Sequence, residues 1–171
     1  MTRQIKSIII HCSNTLNGDH VSVEEIDAWH RKRGFYRSTD FRQRQNPNLT
    51  SIGYHFVIYP NGAVATGRHF DEVGEHAHDY NTKSIGICLI GTDKFTHEQW
   101  KSLEKCVCGL TTDIVLLQGG KESETPRVLG HRDLPEMHKK CPGFLVVDWL
   151  KNEMRPLPSH ILDESEIEDA K

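Results

Sequence analysis

Ile85-Gly86-Ile87-Cys88-Leu89-Ile90 carries no polar side chain, and its isoleucines are β-branched, so it reads as a strand buried on both faces of a sheet. Upstream, Tyr54-His55-Phe56-Val57-Ile58-Tyr59 and Ala63-Val64-Ala65-Thr66 flank Pro60-Asn61-Gly62. Asn-Gly between two such runs predicts a tight hairpin. Gln4 to His11 places three isoleucines before a polar end and predicts a short buried strand. Arg127-Val128-Leu129 predicts another, leading into Gly130-His131-Arg132-Asp133.

Helices fall between these runs. Ser22-Val23-Glu24-Glu25 and Thr96-His97-Glu98-Gln99 both have the capping-box form, in which hydroxyl and acid or amide satisfy each other's free backbone N–H groups. After the first, Val23, Ile26 and Trp29 or His30 share a face, and Gly34 suits the position just past the helix. After the second, Trp100, Leu103, Val107, Leu110, Ile114 and Leu117 recur at intervals of three and four, predicting a long helix that stops at Gly119-Gly120. Phe144 to Met154 predicts a last helix. The expected architecture is one α/β domain, a sheet with helices packed against it.

A length of 171 residues suits a single domain, placed at 1–157. Two stretches stand apart. Residues 36–51 read as a loop insertion, and residues 31–44 hold six basic side chains against Asp40 alone. That segment is either a solvated insertion or a contact surface for an anionic polymer. Residues 158–171 are acidic and poor in apolar side chains, and are expected to lack order.

The charge balance, 21 basic against 24 acidic residues, argues against a nucleic-acid binder. No apolar run nears the roughly 18 residues of a membrane span. Ile8-Ile9-Ile10 is too short for the core of an export signal, so cytoplasmic accumulation is expected. Five cysteines are too few for a disulfide scaffold, whereas 11 histidines are many.

His11 ends the first strand, His131 opens the loop after a later one, and Cys141 precedes Pro142-Gly143. Two imidazoles and a thiol at strand ends suit zinc, with the fourth tetrahedral position open for water. The spacing alone does not require this reading, and each residue has an ordinary structural alternative. Cys106 and Cys108 lie on the long helix and read as packing. Tyr54 is packing unless its hydroxyl reaches the site, and Lys139 and Lys140 are loop lysines unless one faces a reacting carbonyl.

Taken in order, Ile8-Ile9-Ile10-His11-Cys12-Ser13, Trp29-His30, Gly53-Tyr54-His55-Phe56-Val57-Ile58, Asn61-Gly62 and Gly67-Arg68 form a set. It continues with Val73-Gly74-Glu75-His76-Ala77, Tyr80-Asn81, Ser84-Ile85-Gly86-Ile87-Cys88, Gly130-His131-Arg132-Asp133 and Lys139-Lys140-Cys141-Pro142. The set resembles the zinc-dependent N-acetylmuramoyl-L-alanine amidases of the type-2 amidase and peptidoglycan-recognition family, short phage endolysins among them. The resemblance implies a central mixed sheet flanked by helices, with a zinc site at one edge. It implies His11, His131 and Cys141 as Zn2+ ligands, Tyr54 and Lys139 as the catalytic pair, and His76 and Asn81 in the substrate groove. The stretch from His131 to Cys141 runs slightly longer than in the phage members, which keeps Lys140 open beside Lys139.

The function so implied is hydrolysis of the amide between N-acetylmuramic acid and L-alanine in bacterial peptidoglycan, by a monomeric endolysin acting on the wall after release. Two other functions fit parts of the pattern. A peptidoglycan-binding module without catalysis would lack the ligand cysteine, which is present here. A regulator binding a phage RNA polymerase would use a surface near the N-terminus, where this chain starts almost directly at its first strand.

Overall fold

Strands β1 (Ser7–Cys12) and β4 (Ser84–Leu89) pair in parallel, Ile8 opposite Ile85 and His11 opposite Cys88, in a computed structural model that describes residues 3–135 and 137–168. β5 (Arg127–Gly130) lies parallel to β1 on its other side. β2 (Phe56–Ile58) runs parallel to β4, and β3 (Val64–Thr66) folds back on it as the expected hairpin, with Gly62 at φ +81° in the turn. The order β3-β2-β4-β1-β5 makes a mixed sheet with β5 at one edge.

Alternation along the strands divides the core in two. Ile8, Ile10, Ile85, Ile87 and Leu89 face α3 (His97–Leu117), whose Trp100, Leu103, Val107, Leu110 and Ile114 form the predicted stripe. Each of those side chains is worth roughly 1.5–3 kcal/mol on burial. Phe144 joins this layer with Val146 and Trp149 of α4 (Val146–Lys151), a helix shorter than the predicted one. On the opposite face Val57, Cys88 and Ile90 meet Val23 and Ile26 of α1 (Val23–Lys32), together with Leu49 and Ile52. His11 shares the parity of Ile9 and therefore looks away from α3. Both capping boxes form, at Ser22 and Thr96. On α1 it is His30 that is buried, while Trp29 is exposed.

Two expectations need correction. The basic segment is not a plain solvated loop: it contains α2 (Thr39–Arg44), whose N-cap is Ser38. Arg37 is completely buried. Its guanidinium pairs with Glu72 at 2.8 Å and donates to the backbone carbonyls of Gln45, Asn46 and Leu49. A buried cation surrounded by acceptors ties the segment to the domain rather than offering charge to a polymer. Of the basic helix residues, Arg42 bonds to the Pro47 carbonyl and Arg44 lies over the Phe41 ring.

The C-terminal segment is also ordered through residue 168. Pro158–His160 forms a 3-10 turn, Ile161 bridges to Phe95, and α5 spans Glu164–Glu168. Leu162 is buried and Lys94 pairs with Glu166, so a few apolar contacts fix a stretch whose composition reads as unordered. Residues 169–171 of the expected tail lie outside the described residues. Among the described residues, no helix is long and apolar enough to cross a membrane.

Candidate metal centre

His11 is the penultimate residue of β1, and His131 directly follows β5. The two strands are parallel neighbours, so both imidazoles emerge at carboxyl ends, where open α/β sheets commonly place ligands. The chain beyond His131 then folds back on itself. The Asp133 carboxylate accepts from the Gly130 N–H at 2.7 Å, and the Arg132 N–H donates to the Cys141 carbonyl at 2.8 Å. This loop closure delivers Cys141 to the two histidines.

The donor atoms of His11, His131 and Cys141 all lie within 4.8 Å of one another. His11 Nδ1 is 3.8 Å from Cys141 Sγ, and the two imidazole centroids are 4.5 Å apart. Zinc–nitrogen bonds of about 2.0–2.1 Å and a zinc–sulfur bond of about 2.3 Å put tetrahedral donors roughly 3.3–3.7 Å apart. The three residues fit such an ion with little movement. The Cys12 N–H donates to Cys141 Sγ at 3.2 Å, a contact that favours a thiolate there.

Burial, then the neighbouring His131, His30 and Lys139, hold the His11 pKa well below its ordinary value. Burial and Lys139 lower that of His131 as well. Both imidazoles are therefore neutral, the form that binds a metal. The Cys12 side-chain thiol and burial raise the Cys141 thiol, while the Cys12 backbone N–H acts in the opposite direction.

Tyr54 stands beside this group. Its ring centroid is 5.2 Å from that of His11 and 5.2 Å from that of His30. Burial, followed by the thiols of Cys88 and Cys141, raises its pKa well above the ordinary value, so the phenol keeps its proton. Lys139 is exposed, and its positive charge contributes to lowering the pKa of both histidines.

Residues 1–144 match the family of N-acetylmuramoyl-L-alanine amidases. The chain belongs to that family. This amidase is 35 % identical to the endolysin of Enterobacteria phage T3 over 158 residues, covering 87 % of this chain and 88 % of that one. It is 34 % identical to the endolysin of Escherichia phage T7 over 157 residues, covering 86 % and 87 %. Among solved structures, the amidase LysC of Clostridium intestinale aligns with a TM-score of 0.67 at 23 % identity, covering 90 % of this chain and 87 % of that one, a likeness of fold. Drosophila PGRP-LB aligns at 0.62 and 26 % identity, covering 94 % and 86 %. The amidase is accordingly an enzyme that cleaves peptidoglycan between N-acetylmuramic acid and L-alanine.

His76 also reaches the centre, from behind His11, and Asn81 holds the backbone of His76. His76 Nδ1 lies 2.9 Å from His11 Nε2, and the Asn81 side-chain oxygen accepts the backbone N–H groups of His76 and Ala77. Two residues to which the motifs assign no role hold the backbone leading into Tyr54. His30 Nδ1 accepts the Gly53 N–H at 2.8 Å, and the buried Asp27 carboxylate accepts those of Ser51 and Ile52. Both sit on the inner face of α1. That periodicity marks them as buried, and a buried carboxylate or imidazole on an apolar stripe signals a polar partner nearby.

Proposed function

We propose that the amidase is a zinc-dependent endolysin, with His11, His131 and Cys141 as ligands and Tyr54 and Lys139 as catalytic residues. The observation that carries this reading is the convergence of three deprotonatable donors, from chain positions 11, 131 and 141, at one sheet edge beside a half-buried tyrosine. The neutral imidazoles and the N–H···S contact from Cys12 support zinc over harder cations, which prefer oxygen donors.

When bound, the ion supplies Lewis acidity to the scissile carbonyl and to water. Tyr54 keeps its proton and acts as a hydrogen-bond donor beside His11, orienting the water or the carbonyl oxygen. Lys139 extends a positive charge toward the carbonyl oxygen as negative charge develops there, which lowers the barrier without requiring a proton transfer. The substrate is the glycan-attached end of the peptide stem. Since one chain carries every residue of the site, a monomer suffices, acting on the wall after release.

Metal analysis tests the ligand set. The wild-type chain should hold one zinc per chain, and Cys141→Ser, which replaces a soft anionic donor by a neutral hydroxyl, should lose both zinc and wall clearing. Full zinc occupancy and undiminished clearing by Cys141→Ser would reject the assignment.

A further inference from the structure

His76 makes two hydrogen-bond contacts through its ring. Nδ1 meets His11 Nε2 at 2.9 Å, and Nε2 meets Ser84 Oγ at 3.3 Å. The direction of each bond follows from the far end of the chain. Ser84 Oγ lies 2.8 Å from the Tyr80 carbonyl oxygen, which can only accept, so the Ser84 proton points there. Ser84 Oγ is then left to accept, and His76 Nε2 carries the proton that reaches it. A neutral His76 therefore has a bare Nδ1, which accepts from His11 Nε2–H. His11 is left with its lone pair on Nδ1, the atom 3.8 Å from Cys141 Sγ.

From this polarity we infer that His76 is a positioning residue that selects the tautomer of His11, through a one-way relay from His11 Nε2–H to His76, Ser84 and the Tyr80 carbonyl. The inference rests on the zinc reading above and gives His76 and Asn81 a task other than contacting substrate. With both nitrogens engaged, the His76 ring has none left for a muropeptide.

The surroundings of the ring fit a fixed orientation. A Cβ placed on Gly86 would come within 2.6 Å of the His76 ring, so glycine in β4 leaves the space the ring occupies. The His11 and His76 ring planes are nearly perpendicular, with centroids 5.0 Å apart and the facing nitrogens 2.9 Å apart, so each ring presents an edge nitrogen rather than its face. Asn81 clamps the backbone of His76 and Ala77. An imidazole whose second nitrogen is held this way binds metal with the correct atom and without searching its orientations.

The direct test is the 15N–1H long-range correlation spectrum of the zinc-loaded wild-type protein. The inference predicts that His76 is protonated at Nε2 and bare at Nδ1, and that His11 is protonated at Nε2. A His76 protonated at Nδ1 overturns it. Zinc affinity by chelator competition gives a second readout. His76→Phe, which keeps the ring but removes both nitrogens, should weaken zinc about 10–100-fold. His76→Asn, whose side-chain oxygen can take the place of Nδ1, should restore most of that loss. Ser84→Ala, which leaves His76 in place, should weaken zinc by a smaller factor, and it remains informative if the ring variants do not fold. Wild-type affinity in both His76→Phe and Ser84→Ala refutes the relay while leaving the zinc reading intact. A wild-type chain that binds no zinc refutes both.

Discussion

Arg37→Met should be among the most damaging single substitutions outside the metal centre. The guanidinium makes three buried contacts with the Glu72 carboxylate, at 2.8, 3.0 and 3.2 Å, and donates to the buried Leu49 carbonyl and the part-buried carbonyls of Gln45 and Asn46. Its removal leaves Glu72 with Arg68 at 3.7 Å as its nearest cation and exposes the carbonyls to an apolar side chain. Breaking a buried pair from one side costs about 3–5 kcal/mol. At a urea slope of about 2 kcal/mol per molar, a loss near 4 kcal/mol lowers the unfolding midpoint by about 2 M. Arg42→Gln, which loses only an exposed contact to a carbonyl, should stay within about 0.5 kcal/mol of the parent. Replacing Glu72 as well, in Arg37→Met/Glu72→Met, should recover part of the loss because no unpaired charge remains. Urea denaturation of the four proteins decides the matter. An Arg37→Met midpoint within about 0.2 M of the parent, combined with weaker and less salt-sensitive wall binding, would return Arg37 to the surface role suggested by its sequence neighbourhood.

The catalytic pair should separate chemistry from metal binding. Tyr54→Phe and Lys139→Ala should retain zinc yet lower turnover on walls roughly a hundred- to thousandfold, the usual cost of a lost transition-state donor. If Lys140→Ala is the crippling change instead, the loop is misassigned. Stability should fall in acid: burial lowers His30 to about 4 and His55 to about 3. Their contribution is fully present above the unfolded pKa near 6.5 and is lost as pH drops from there toward 4 and 3. At about 1.4 kcal/mol per pH unit, His30 alone removes about 3 kcal/mol by pH 4. A thermal midpoint unchanged between pH 7.5 and 4.5 would contradict this.

Local signals carried much of the fold. The apolar runs of β1 and β4, the Asn-Gly hairpin and the two capping boxes act within a few residues, so their chemistry is visible in a short window. The misses all depend on distant partners. Nothing around Arg37 announces Glu72, thirty-five positions later, so a buried guanidinium reads as a solvated one. The tail looks unordered by composition, yet Leu162 finds a buried site and Ile161 bridges to Phe95. At the metal centre, the residue types suggested zinc, but His11 and His131 are joined only by strand pairing, and family resemblance supplied the set. The place of His76 behind His11 was hidden for the same reason. It arrives on a loop between β3 and β4, and its partner Ser84 begins the next strand.

Mass spectrometry of purified peptidoglycan digested by the zinc-loaded chain tests the central claim most directly. Cleavage adds water across one amide, so the account predicts new L-alanine amino termini on released stems and glycan strands of unchanged length. New reducing ends on the glycan, with the stems still attached, would contradict it.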